Sequence, residues 1–216
     1  MTPQHYFDFD DTLFNFSYHL LEHMSLDDIT EMPDFFVAQS RLRREYYLQH
    51  HANSDTFNID TTIDVAKIGK DVNLYRSPLF YEATLDLLNA CSPDASRHGV
   101  TILTKSIDSQ RDYKDDIIDF VLNKKILSGK VKVIHVPLEG HKADYIKEPM
   151  LSLVEDRIEE LEGILKVDPI LLKELKSIVL VDAGWNTGQE ERIDQLLKDL
   201  SDHCGNRVEG TRIFIK

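Results

Sequence analysis

At 216 residues and 25.0 kDa, the chain has room for one large domain, or for a core carrying one sizeable insertion. Its 42% hydrophobic and 29% charged residues match globular chemistry and argue against a disordered chain. The net charge of −13 repels phosphate backbones and disfavours a nucleic-acid partner.

The opening MTPQHYFDFDD has neither the basic nor the apolar region of a secretory signal. No stretch reaches the roughly 18 apolar residues of a membrane helix. Cys91 and Cys204 are too few for a disulfide framework or a cysteine zinc site, and each is expected to be packed. A cytoplasmic home without a membrane partner is the expectation.

In chain order, five short apolar segments read as strands: 5–9, 100–103, 131–136, 178–181 and 212–215. Their β-branched and aromatic runs lack alternation, which suits strands buried on both faces of a parallel sheet. After the first strand, residues 16–77 show helical periodicity and no strand, with Ser25 and Pro33 as helix-start signals. Within them, 41–51 is amphipathic and 61–69 is a shorter helical candidate. Further helical patterns occupy 79–89, 112–122, 142–165 with an interruption, and 190–200. Strand and helix alternating from Val100 onward predict right-handed crossovers and an α/β, Rossmann-like, doubly wound parallel sheet. The expected domains are a core of 1–15 and 78–216 and an all-helical insertion of 16–77.

The strongest chemical signal is Asp8-Phe9-Asp10-Asp11-Thr12, directly after the first strand. In open α/β sheets, function gathers at the carboxyl ends of strands. Two carboxylates two residues apart start on the same side of a strand. At ~4 Å their repulsion would be about 4 kcal/mol at an effective dielectric of 20, so a cation or proton should compensate. A plain acidic turn is the bland alternative.

Three more strand ends weaken that alternative. Thr104 ends the second strand, Lys142 begins a helix pattern after the third, and Asp182 ends the fourth. Each alone has an ordinary explanation, as a helix cap, a solvated lysine or a turn former. Their order, each following a core strand, is harder to dismiss.

On these residues the chain resembles the haloacid dehalogenase-like (HAD) superfamily, over everything but the insertion. Asp8-Phe9-Asp10-Asp11-Thr12 matches the first motif in full, Thr104 the second, Lys142 the third and Asp182 the fourth. The insertion is similar to a helical C1 cap. The resemblance implies phosphoryl transfer to an aspartate and hydrolysis of the aspartyl-phosphate. It makes Asp8 the nucleophile and Asp10 the acid and base, with Thr104 and Lys142 on the phosphoryl oxygens. It also implies Mg²⁺, held by Asp8, Asp182 and the Asp10 carbonyl. Dehalogenases of this kind lack an acid/base at the Asp10 position, which favours a phosphatase. One position departs: many relatives carry an acid four residues after the fourth-motif aspartate, where this chain has Asn186. Modest metal affinity is expected, with Asn186→Asp tightening it.

Other residues read as background. None of the nine histidines has zinc-protease spacing, and His50, His51 and His141 are expected to be solvated or packed. Trp185 is expected to pack more than to stack on substrate. The acidic stretch 155–160 reads as a solvated helix face. The stretch 41–47 differs, concentrating Arg41, Arg43, Arg44, Tyr46 and Tyr47 in an acidic chain. Arg41 and Arg44 share a helix face and are the candidates for substrate binding, with a solvated face as the alternative. The expected function is Mg²⁺-dependent hydrolysis of a small phosphomonoester, such as a nucleotide or sugar phosphate. A nucleic-acid-end phosphatase and a non-catalytic binding protein of the same fold are the alternatives.

Overall fold

The computed structural model describes residues 1–14, 81–91, 97–106, 108–119, 122, 131–182, 186 and 189–214. The expected insertion 16–77, with Arg41 and Arg44, lies outside the described residues, as does Trp185.

Six strands form one parallel sheet: β1 (Gln4–Phe7), β2 (Gly99–Lys105), β3 (Lys132–Val136), β4 (Met150–Glu155), β5 (Ser177–Asp182) and β6 (Glu209–Phe214). Their order across the sheet is β3-β2-β1-β4-β5-β6. This is the Rossmann order, in which the chain winds outward from β1 and then crosses back to start again on its other side. The expected α/β class and doubly wound parallel sheet are therefore present. Among the described residues the helices are α1 (Glu82–Ala90), α2 (Asp108–Ile117), α3 (Ile158–Gly163), α4 (Pro169–Leu172) and α5 (Glu190–Cys204), with 3₁₀ turns at Lys142–Tyr145 and Ile164–Lys166.

Successive residues of the central strands enter opposite cores. Tyr6, Leu103, Leu153, Ile178 and Leu180 pack with Ile158, Leu161, Leu196 and Leu200. Their neighbours Phe7, Ile102, Val154, Val179 and Val181 pack on the other face with Phe9, Phe14, Leu88 and Ile118. Side chains alternate across a strand, so a sheet covered twice needs apolar residues at consecutive positions. That requirement is why these strands read as unbroken apolar runs.

β4 departs from expectation. The helical pattern over 142–165 resolves into the 3₁₀ turn, a strand at Met150–Glu155 and the short α3. Pro149 stands immediately before the strand, where it restricts the preceding residue to extended backbone and cannot continue a helix. Leu151, Ile158, Leu161 and Leu165 fall at helical spacing by coincidence, although Pro149 stands before them all. Asp168 caps α4 by accepting the Ile170 N–H at 2.9 Å, and Gly205 ends α5 with φ 68°, the left-handed geometry of a helix C-terminus. No helix among the described residues is long and apolar enough to cross a membrane.

The described residues on either side of 15–80 meet: the Tyr81 N–H donates to the Leu13 carbonyl at 3.0 Å, beside the Asp8–Thr12 loop.

His5 supplies a stability prediction. Its Nδ1 lies 2.7 Å from Ser152 Oγ, and its ring meets His98 edge-on at 5.0 Å. Burial, then the neighbouring charges of His98 and Lys176, pushes it down to about 4. The unfolded chain takes up this proton near 6.5 and the folded chain does not, so stability is lost as pH falls from 6.5 to about 4. Thermal melts of wild type and His5→Asn at pH 7 and pH 4.5 should show a smaller acid-induced drop in the variant. Equal drops would mean His5 does not couple to folding.

Candidate active site

Asp8 follows β1 directly, and its N–H donates to the Val154 carbonyl of β4 at 2.9 Å. The next residues curl into a tight loop, with the Thr12, Leu13 and Phe14 amides all directed at the Phe9 carbonyl at 3.4, 2.9 and 2.9 Å. Asp11 takes a left-handed φ of 57°, a conformation aspartate tolerates better than most residues. The Phe9 and Phe14 rings stack beneath the loop with centroids 5.5 Å apart. The apolar residues of the motif thus anchor it, and the polar ones are left at the end of the sheet.

Asp8 is buried, with 5% of the residue exposed. Its Oδ1 lies 2.6 Å from Lys142 Nζ, and its Oδ2 accepts the Thr12 hydroxyl at 3.1 Å. Lys142, at the start of the 3₁₀ turn, also reaches Glu155 Oε2 at 2.6 Å. Glu155 is the last residue of β4 and Asp156 follows it, and both are buried. The expectation that 155–160 is a solvated face is therefore corrected at these two positions. Asp8, Glu155 and Asp156 each place a carboxylate oxygen within 4.8 Å of the others.

Asp182 does not join them. It ends β5, and β4 lies between β5 and β1. That is two strand spacings of roughly 4.8 Å from Asp8, while Asp156 is one. The Asp182 carboxylate is engaged elsewhere: Oδ2 accepts Arg212 Nε at 2.7 Å, and Oδ1 accepts the Asn186 N–H at 3.3 Å. Asn186 in turn donates its side-chain amide to the Asp156 carbonyl at 2.7 Å, which an aspartate could not do. Asn186→Asp would set a carboxylate against that carbonyl, a cost that opposes the expected gain in metal binding.

Opposite this cluster stands a second lysine that the sequence did not single out. Lys114 projects from α2 and is fully buried. Its ammonium contacts Asp10 Oδ2, lies 3.2 Å from Thr104 Oγ1 and donates to the Lys105 carbonyl at 2.8 Å. Asp10 Oδ1 is buried with no hydrogen-bond partner among the described residues. The sequence around Lys114 is acidic and looks solvated. The available signal was its spacing from Ile118, four residues on and buried on the same helix face.

Electrostatics divides the site into two halves. Burial, followed by the Asp8 charge, pushes Glu155 up to about 7. Burial, then Glu155 and Asp8, raises Asp156 well above the ordinary carboxylate range. Burial alone would favour a neutral Lys142, but Asp8 and Glu155 hold it charged, above its usual value. Three buried carboxylates thus face one ammonium, and the excess negative charge calls for a proton or a cation. In the other half, burial raises Asp10 to about 6 against the opposing pull of Lys114.

The donor set fits a hard divalent ion. Asp8, Glu155 and Asp156 offer clustered carboxylate oxygens of the kind Mg²⁺ takes, with Glu155 also held by Lys142 at 2.6 Å and by the Arg157 N–H at 3.4 Å. The location agrees with this. β1 and β4 are the strands between which the winding direction reverses, where open α/β sheets form their ligand crevice. Thr104, Lys142, Asp8 and Asp10 of the sequence-derived set therefore assemble at one end of the sheet, with Glu155, Asp156 and Lys114 added.

Neither a protein-family model nor a curated protein matches the chain. Among solved structures, it is similar to a haloacid dehalogenase-like family hydrolase from Streptococcus pneumoniae. Identity is 14% and the TM-score 0.46, over 98% of this chain and 93% of that one. A HAD-hydrolase from Bacillus subtilis, described as bound to magnesium, is similar at 11% identity and a TM-score of 0.39, over 96% of this chain and 87% of that one. At such identities the chemistry has to come from this chain's own residues.

The charge imbalance has a measurable consequence. Because the folded-state values of Glu155 and Asp156 are raised, their contribution is fully present at low pH and is lost as pH rises, for Glu155 from 4.5 through about 7. This is opposite in sign to His5. At neutral pH, Asp156→Asn should raise the melting temperature of the metal-free protein, by about 2–4 °C for each kcal/mol relieved. Mg²⁺ at 100 times its Kd should stabilise wild type by about 2.7 kcal/mol and the variant much less. A wild-type melting temperature indifferent to Mg²⁺ would contradict the assignment of the cluster.

Proposed function

We propose that this chain is a Mg²⁺-dependent phosphomonoester hydrolase of the HAD-like superfamily, working through an aspartyl-phosphate on a small phosphorylated metabolite. One observation carries the reading. At the β1/β4 switch point, a buried carboxylate on Lys142, Asp8, stands beside a second cation-seeking carboxylate, Asp156, while a protonatable carboxylate, Asp10, lies two residues away.

Phosphate monoesters are inert enough to need a nucleophile, an acid and charge neutralisation together. An Asp8 oxygen attacks phosphorus, forming a P–O bond as the ester P–O bond breaks. The bonding pair passes to the leaving oxygen, which takes the proton of Asp10. In the second half-reaction, water attacks phosphorus and gives its proton to Asp10, and the bond to Asp8 breaks, releasing inorganic phosphate and restoring both carboxyl groups. Lys142 has one N–H not used by Asp8 or Glu155 and directs it at a phosphoryl oxygen, with the Thr104 hydroxyl as a second donor. Glu155 fixes the lysine in place. Mg²⁺, held by Asp8 and Asp156 when bound, neutralises phosphoryl charge.

The buried positive charge and carboxylate pair accept any phosphoryl group, so specificity belongs to the rest of the chain. Arg41 and Arg44 are our candidates for it, on sequence grounds alone. A nucleotide or sugar phosphate is the substrate class we favour, since guanidinium groups and nearby aromatics match its anionic and stacking parts.

Release of phosphate from p-nitrophenyl phosphate tests the chemistry. Wild type should turn over with Mg²⁺ and stop with EDTA. Asp8→Asn should abolish release in a single turnover, while Asp10→Asn, which removes the base of the water-attack step, should slow phosphate release by about 10²–10⁴-fold with binding retained. Near wild-type turnover by Asp8→Asn would remove the nucleophile from the scheme. For specificity, a panel of phosphorylated metabolites should identify a substrate on which Arg41→Ala/Arg44→Ala loses kcat/KM while p-nitrophenyl phosphate is spared. Equal losses would place the arginines in folding.

A further inference from the structure

Lys114 belongs to no motif, yet its side chain is fully buried within the site. It comes from α2, after β2, and reaches back across the sheet end to the first-strand loop. Burying an ammonium is costly unless it is paired and every proton is used. Here every proton has an acceptor: Asp10 Oδ2, Thr104 Oγ1 at 3.2 Å and the Lys105 carbonyl at 2.8 Å. The Phe9 ring lies beneath at 6.0 Å.

That saturation separates Lys114 from Lys142. An ammonium has three N–H donors. Lys142 makes two contacts among the described residues, to Asp8 and Glu155, and keeps a donor for substrate. Lys114 has none to spare, so gripping a phosphoryl oxygen would require breaking a bond to Asp10, Thr104 or the β2 end. Its geometry is that of a brace. It pins one oxygen of the Asp10 carboxyl, while Oδ1 stays buried and without a partner among the described residues.

Resting on the hydrolase reading above, we propose that Lys114 is a positioning residue for leaving-group protonation: by fixing Asp10 Oδ2 to Thr104 and the end of β2, it holds Oδ1 as the oxygen that meets the leaving group. Asp10 lies in a loop whose backbone is fixed but whose side chain can rotate. An unbraced carboxyl would sample rotamers in which neither oxygen faces the ester. Proton transfer in the transition state depends steeply on such alignment. The attack by Asp8 and the phosphoryl contacts of Lys142 do not pass through Lys114.

The loss on removing Lys114 should therefore follow the leaving group's need for a proton. Phenolate is a poor leaving group and p-nitrophenolate a good one. With full-length protein and Mg²⁺, Lys114→Met should lower kcat/KM for phenyl phosphate by about 10²-fold, but by less than about threefold for p-nitrophenyl phosphate. Adding Lys114→Met to Asp10→Asn should cost little more on phenyl phosphate, because the brace then has no acid to align. If Lys114→Met does not fold, Lys114→Gln, which keeps a neutral donor, is read by the same ratio. Equal losses on both esters in a folded variant would overturn the proposal and make Lys114 a phosphoryl ligand or a scaffold residue. Additive losses with Asp10→Asn would overturn it as well. These outcomes leave the hydrolase reading intact. Wild type that releases no phosphate from either ester would overturn that reading, and the role of Lys114 with it.

Discussion

The structure turns on the burial of Asp8, Glu155 and Asp156 around the single ammonium of Lys142. Three carboxyl groups against one ammonium, nearly out of water, form an arrangement a fold would not keep for stability. Burial opposes ionisation of Glu155 and Asp156, the Asp8 charge adds to it at both, and Glu155 raises Asp156 further. The surrounding architecture over-determines it. His5–Phe7 of β1 pair regularly with Ser152–Val154 of β4, and the Asp8 amide is bonded to the Val154 carbonyl, so the carboxylates cannot separate without unzipping the middle of the sheet.

Support continues outward from that centre. The Asn186 amide holds the Asp156 carbonyl, and Arg212 holds both Asp182 and the Asn186 carbonyl. Asp182 acts on the acidic cluster through this chain of contacts and not by facing it. Across the crevice, Lys114 links Asp10 to the end of β2. The two lysines thus sit on different elements, the Lys142–Tyr145 turn and α2, and serve different carboxylates, which divides the site into an Asp8 half and an Asp10 half.

Much of this was legible in the sequence, and the misses have physical causes. The apolar runs gave the strands because a doubly covered sheet leaves no polar face, and Asp8-Phe9-Asp10-Asp11-Thr12 was conspicuous because paired acids directly after a buried strand need a reason. β4 was hidden because its Leu151 falls at helical spacing with Ile158, Leu161 and Leu165 beyond the strand. Once β4 was lost, Glu155 and Asp156 joined an acidic helix, and Asp182, at the next visible strand end, inherited their place. Pro149 was the signal that would have prevented it. Lys114 was missed for a different reason: no one-dimensional pattern distinguishes a buried lysine among aspartates from a solvated one, apart from its spacing from Ile118.

The central claim is that Asp8 carries the phosphoryl group in a cluster completed by a cation. The most direct measurement is mass spectrometry of enzyme acid-quenched during turnover of p-nitrophenyl phosphate, with peptides mapped across residues 1–14. The account predicts a phosphoryl adduct on Asp8 that forms with Mg²⁺ and is absent with EDTA. Continued turnover with the adduct on another residue would contradict it.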